Sequence, residues 1–223
     1  MTSRWPDDYF EKNIADRIKA VGHRQYVGGF SDQLWYEIGK LQYHFLVQQG
    51  LKPEHVFYDV ACGSLRLGQY LIPYLNDGRY HGLDLDQTLI DIGIEKEFYT
   101  DIIALRNPRF FVNEEFDFGI SPNFDFAIAQ SLFTHLDPDD IRSCLSAMRG
   151  KCHAHSQFYF TVFLKEGRSP ENPGGPSDPN KNWFYRKEDI EDFCETTGWY
   201  ADFIGDWRHP ANQMMFRARP AGR

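Results

Sequence analysis

The chain has 223 residues, a net charge of -8, 42% hydrophobic and 25% charged residues. That is enough for one α/β domain with a sizeable core, and the acidity weighs against a broad nucleic-acid footprint. Four cysteines (Cys62, Cys144, Cys152, Cys194) form no Cys-x-x-Cys pair, the first residues carry no apolar leader, and no run of about eighteen apolar residues occurs. Reduced thiols, no metal site, no membrane span and a cytoplasmic location are therefore expected.

In chain order, residues 7–20 read as a helix and residues 22–30 as a flexible connector. Residues 31–49 read as a second helix, with Ser31 as N-cap and Gly50 as stop. Leu34, Ile38, Leu41 and Phe45 fall at helical spacing and predict its buried face, with Trp35 and His44 off the centre of that stripe.

Residues 55–61, HVFYDVA, read as a strand, followed by a small-residue turn, Ala61-Cys62-Gly63-Ser64. Gly63 can take positive φ, and a helix starting near Ser64 would aim its free N–H groups at whatever lies in the turn. Pro73 should end or kink that helix near Ile72. A second strand, YHGLD, ends on Asp84, twenty-one residues after Gly63. A carboxylate there can accept both hydroxyls of a ribose, so the stretch predicts a nucleoside site. Counted from Gly63, a Gly-x-Gly-x-x-Gly fingerprint would place its glycines at Gly63, residue 65 and Gly68, and residue 65 is leucine. The missing glycine and the strand acid Asp59 argue against a dinucleotide and suit a ligand with positive charge.

Asp86 should cap the next helix, and residues 109–112 form a third strand with Asn113, Glu114 and Glu115 after it. Residues 124–130 form a fourth strand ending at Gln130 and Ser131, where strand carboxyl ends border a ligand crevice. His135 follows, then a helix capped by Asp137, with Pro138 at its first position and Asp140 closing a capping box. Residues 157–164 form a fifth strand. Pro170, Pro173, Pro176 and Pro179 then predict an extended, exposed loop that shapes a substrate mouth. A helix over residues 187–197 and a closing hairpin of residues 200–204 and 214–218 complete the chain.

DVACGSLRLG (residues 59–68) resembles motif I of class I S-adenosylmethionine (SAM) dependent methyltransferases, with Asp59 and Gly63 matching and Ala61 and Leu65 where glycines are usual. GLDLD resembles motif II, and residues 124–141 resemble motif IV with the helix after it. The resemblance implies a doubly wound, mostly parallel seven-stranded α/β sheet with helices on both faces and an antiparallel C-terminal strand. It implies SAM as cofactor, an N-terminal helical cap (residues 1–50) and a SAM-binding domain (51–223). The implied cofactor residues are Asp59, Ala61, Cys62, Gly63, Ser64, Gly68, Asp84, Leu85, Gln130 and Ser131, with adenine read by one of Asn113, Glu114 and Glu115. Tyr26, Phe30, Trp35 and His44 are candidate substrate residues, Tyr26 and Phe30 with Arg24 as a lid. His135 is the candidate base, since imidazole titrates near neutrality. The implied activity is methyl transfer to a small-molecule acceptor, preferably a hydroxyl oxygen of a sugar or secondary metabolite. The alternatives are a SAM-binding subunit without catalysis, kept open by Ala61 and Leu65, and a nicotinamide oxidoreductase.

Overall fold

The structure, a computed structural model, describes residues 14–29, 31–167 and 169–222. They fall into two compact units, one ending at Glu114 and one starting at Glu115.

The first unit opens with helices α1 (Ile14–Val21), α2 (His23–Tyr26) and α3 (Asp32–Gln48). The expected connector thus contains a helical turn, entered through Gly22 at φ +82°. Ser31 caps α3 by accepting the Leu34 N–H at 3.2 Å, and Gly50 follows its end at φ +100°. The buried face of α3 is Trp35, Ile38, Gly39, Gln42 and Leu46, so the predicted stripe was rotated by about one residue. Trp35, the largest apolar surface on the helix, sets the inward direction and takes its polar N–H with it.

Strands β1 (Phe57–Val60), β2 (Tyr80–Asp84) and β3 (Arg109–Val112) run parallel in the order β3-β2-β1. Helices α4 (Gly68–Tyr74), α5 (Gln87–Glu97) and α6 (Ile102–Arg106) connect them. Asp86 caps α5 through the Thr88 N–H at 2.8 Å. Pro73 is tolerated in the last turn of α4, which ends one residue later. Aromatic rings stack across the three strands, His81 lying between Tyr58 (5.3 Å) and Phe111 (6.2 Å).

The second unit holds β4 (Phe124–Ala129), α7 (Pro138–Arg149), β5 (Cys152–Leu164), β6 (Phe184–Tyr185), α8 (Lys187–Thr196), β7 (Trp199–Asp206) and β8 (Met214–Pro220). The order is β4-β5-β8-β7; β4 and β6 pair with β5 in parallel, while β8 is antiparallel to both β5 and β7. The two-residue β6 adds an eighth strand to the seven expected. β5 begins at Cys152, five residues before the expected start, so Cys152, His153 and His155 lie on the strand. Asp137 caps α7 through the N–H groups of Asp139 (2.9 Å) and Asp140 (3.0 Å). Asp140 closes no capping box; its carboxylate accepts from Ser177. The proline loop is correspondingly pinned, with Ser177 fully buried. Among the described residues no helix is long and apolar enough to cross a membrane, and no group of three His, Cys, Asp or Glu side chains is placed to hold a metal.

Candidate functional site

After β1 the chain turns through residues 61–65, where Ala61, Gly63 and Leu65 take φ of +61°, +53° and +65°. These are the three alternating positions at which motif I has glycine. The backbone therefore follows a glycine path with alanine and leucine in it, at about 1 kcal/mol of strain each. Surrounding packing holds it there. Leu65 is buried in a cluster with Cys62 and Ile90. Gly93 of α5 lets Ser64 approach, since a Cβ there would stand 2.7 Å from the Ser64 carbonyl oxygen. At Gly82 a Cβ would stand 3.0 Å from the Cys62 sulfur. A Cβ at Gly63 would meet only Val27, at an ordinary 3.5 Å. Gly63 is thus required for its φ and not for space.

The left-handed Leu65 also delays the helix. α4 starts at Gly68, so the expected helix N-terminus does not stand at Ser64. Gly68 packs: a Cβ there would lie 3.1 Å from Leu65 Cβ and from the Tyr80 hydroxyl. Cys62 is a core thiol, pushed well up by burial, and its N–H donates to Leu83 O at 2.9 Å.

Asp84 organises the turn. Its Oδ2 accepts the Gly63 N–H at 2.8 Å and its Oδ1 accepts the Asp86 N–H at 3.1 Å. Burial pushes its pKa up to about 6 against the pull of those N–H bonds. Each carboxylate oxygen retains a further acceptor direction, which is what a pair of vicinal hydroxyls needs.

Asp59 differs from expectation. The Tyr80 hydroxyl donates to its Oδ2 at 2.7 Å, and the half-buried Arg66 supplies nearby positive charge. Burial still raises Asp59 to about 7 and lowers Arg66 to about 10. The chain itself therefore supplies much of the charge that the acid was expected to draw from a ligand. Arg66 also lies 5.6 Å over the Trp35 ring.

The α2 segment rests on this turn. His23 Nδ1 is 3.0 Å from Ser64 Oγ, and its Nε2 is 3.3 Å from Glu97 Oε1. Glu97, buried at the end of α5, also accepts from Arg24 Nε at 2.8 Å and Trp35 Nε1 at 3.3 Å. Trp35 is fully buried, so it holds Glu97 and presents no surface to a substrate. His44 is exposed against Tyr43, on the face of α3 away from Trp35. Tyr26 is half-buried beneath Arg17, and Phe30 lies outside the described residues. Leu85, Asn113 and Glu114 are half-buried and Glu115 is exposed; the Asn113 N–H donates to Asp84 O at 3.2 Å.

In the second unit, Gln130 and Ser131 join a polar cluster that the sequence did not reveal. Gln130 Nε2 lies 3.1 Å from His209 Nε2 and donates to Gln213 Oε1 at 3.1 Å. Gln213 Oε1 also accepts from Ser131 Oγ at 3.0 Å and Thr161 Oγ1 at 2.8 Å. Ser131, Arg208 and Asn212 take positive φ around it. Trp207 stacks on His209 at 5.4 Å. His209 and Gln213 are 79 and 83 residues from Gln130, with no local signal to join them.

His135 is held by the loop after β5. Its Nδ1 lies 2.7 Å from the Lys181 carbonyl oxygen, and burial lowers its pKa against the pull of that bond and of Asp178.

No family model matches the chain. Solved structures do resemble it. A SAM-dependent methyltransferase from Clostridium acetobutylicum aligns with a TM-score of 0.64 and 14% identity, over 94% of this chain and 100% of that one. Magnesium protoporphyrin IX methyltransferase (ChlM) from Synechocystis, with bound S-adenosylhomocysteine (SAH), gives 0.65 and 15% over 95% and 100%. A glycopeptide N-methyltransferase, MtfA, complexed with SAH gives 0.61 and 11% over 82% and 89%. The chain has the Rossmann-like α/β fold of class I SAM-dependent methyltransferases, mostly parallel with antiparallel C-terminal strands, as its motifs led one to expect.

Proposed function

We propose that the chain is a SAM-dependent methyltransferase acting on a small-molecule acceptor, with a hydroxyl oxygen as the atom methylated. The observation that carries the reading is Asp84: a buried carboxylate at the end of β2, tied through the Gly63 N–H to a turn of three left-handed residues. That arrangement presents two acceptors and bare backbone to one ligand, which fits a nucleoside with a ribose diol. The likeness to structures holding SAH supports this choice of nucleoside, and the porphyrin and glycopeptide named for two of them are not macromolecular acceptors.

In this reading Asp84, Gly63 and the backbone of residues 61–65 hold the nucleoside, and one of Asn113, Glu114 and Glu115 contacts adenine. Residues 1–50 act as a helical cap on the SAM-binding domain, held by His23 and Arg24 on Ser64 and Glu97. Bound SAM supplies an electrophilic methyl group, and the chain's own work is to place the acceptor, exclude water and receive its proton. His135, with its pKa lowered by burial, is neutral at pH 7 and suited to that last task. Three buried thiols (Cys62, Cys144, Cys194) suit a reducing cytoplasm. Ala61 and Leu65, the sequence grounds for a subunit without catalysis, follow the glycine path with the Leu65 side chain buried in the core, which supports a SAM-binding turn in either reading, and labelled methyl transfer separates the two.

Calorimetric titration with SAM and SAH tests the reading, with NADH as the control. Saturable binding of SAH and none of NADH is expected, followed by labelled methyl transfer from SAM into a cell extract. Absence of SAM and SAH binding overturns it.

A further inference from the structure

The loop after β5 does more than border a mouth: it grips the segment of residues 134–137 from several sides. The Asp178 N–H donates to the His135 carbonyl at 3.1 Å, and the Trp183 N–H donates to the Thr134 carbonyl at 2.9 Å. The Tyr185 hydroxyl donates to the Leu136 carbonyl at 2.5 Å, and Ser177 Oγ accepts the Asp137 N–H at 2.9 Å. Ser177 in turn donates to Asp140 at the start of α7. The turn of residues 178–181 is itself braced. Asp178 Oδ1 accepts the Asn180 N–H at 2.8 Å, the Lys181 N–H donates to Asp178 O at 3.1 Å, and Lys181 Nζ sits 3.3 Å from Asp178 Oδ2. A Lys181 carbonyl presented by so constrained a turn has a fixed direction.

That carbonyl meets His135 Nδ1 at 2.7 Å. A carbonyl oxygen only accepts, so Nδ1 carries the proton, and in a neutral imidazole the lone pair is then on Nε2. Nε2 makes no hydrogen bond among the described residues.

We propose that the turn of residues 178–181 is the positioning element of His135, locking it as the Nδ1–H tautomer so that Nε2 is the atom that takes the acceptor's proton. This rests on the methyltransferase reading and narrows its substrate class. As the acceptor oxygen gains the methyl group, the S–CH3 bond of the sulfonium donor breaks with its electron pair left on sulfur, giving SAH; the acceptor's O–H bond breaks, its proton moves to Nε2, and it later passes to solvent. An acceptor that must lose a proton, an alcohol or phenol, uses this device. A carboxylate or thiolate, already an anion, leaves it idle. The groups that favour protonation of the imidazole are the Asp178 carboxylate, itself paired with the Lys181 ammonium, and the Lys181 carbonyl. Burial outweighs them and keeps the ring neutral at pH 7.

The test is long-range proton–nitrogen NMR on the full chain labelled with 15N-histidine, His135→Gln supplying the assignment. The wild type should show a protonated Nδ1 and an unprotonated Nε2 at pH 7, with a titration midpoint below 6.5. Asp178→Ala should relax the turn and move His135 toward the Nε2–H form. Should that variant fail to fold, Asp178→Asn replaces it, and the wild-type tautomer decides by itself. An Nε2–H tautomer in the wild type overturns the proposal, as does an unchanged tautomer in a folded Asp178 variant. SAH titration of the same sample separates the two readings: the expected tautomer without SAH binding removes methyl transfer, whereas SAH binding with the opposite tautomer removes only the positioning role.

Discussion

Ala61 and Leu65 in the turn after β1, and Ser131, Arg208 and Asn212 around the Gln130 cluster, make five of the seven non-glycine residues with positive φ among the described residues. The two regions share backbone strain and differ in what holds it. The turn is tied by buried ionisable groups: Asp84 on Gly63, Asp59 with Tyr80 and Arg66, Glu97 gathering His23, Arg24 and Trp35. Gln130, Ser131, Thr161, His209 and Gln213 tie the cluster to one another through amides, hydroxyls and one imidazole. Strain clamped by charge responds to pH and to a ligand that changes the local charge or hydrogen bonding. Strain held by hydrogen bonds among amides and hydroxyls responds less to either.

The largest expected effect sharpens the pH side of this contrast. His81, buried between β1 and β3, has its pKa lowered to about 4 by desolvation. Between pH 6.5 and about 4 the unfolded chain binds a proton there that the folded chain refuses, so stability falls as pH falls through that window. The full shift corresponds to about 3 kcal/mol. Asp59 and Asp84, raised to about 7 and about 6, act oppositely: folded, they take protons before the unfolded chain does, so their burden is greatest above pH 7 and is relieved on acidification. Urea melts of wild type and His81→Phe at pH 7 and pH 4.5 isolate the histidine. The wild type should lose more stability than the variant, and equal losses would remove His81 as the acid-sensitive group.

Gln213→Leu probes the uncharged side. It leaves Gln130, Ser131 and Thr161 short of an acceptor and should cost about 2–3 kcal/mol in urea melts at pH 7. A cost below about 0.5 kcal/mol would mean the cluster does not clamp the strained loop.

Asp84→Ala returns to the charged turn. It should weaken SAH binding by roughly 1–3 kcal/mol, about fivefold to 150-fold, measured by calorimetry at pH 7.5. Because the free carboxyl titrates near 6, wild-type affinity should fall about tenfold per pH unit below that value. Flat affinity from pH 7.5 to 5 would place the ligand away from Asp84.

Ala61→Gly is the smallest change. It relieves a left-handed alanine and should raise stability by about 0.5 kcal/mol, the strain relieved being partly offset by glycine's greater unfolded-state freedom. A loss of stability would show that the methyl of Ala61 contributes more packing than strain.

What could be read along the chain was local. The order strand, turn, helix, strand, acid, and the caps Ser31, Asp86 and Asp137, all involve partners within a few residues. Such interactions depend on spacing alone, and spacing is what a sequence displays. Asp84 at the end of β2 follows from the same logic, since a strand's end fixes where its last side chain stands.

Tertiary structure decided the rest. It gave Asp59 to Tyr80 and Arg66, turned α3 about Trp35, started α4 at Gly68, brought His209 and Gln213 onto Gln130, and placed the Lys181 carbonyl on His135. Most of these link groups tens of residues apart, and the α4 start depends on the burial of Leu65 in its core cluster. Their cause is the burial of polar groups: once packing removes water, each donor and acceptor must find whatever partner the fold brings within 3 Å or so, and the linear sequence carries no record of that distance.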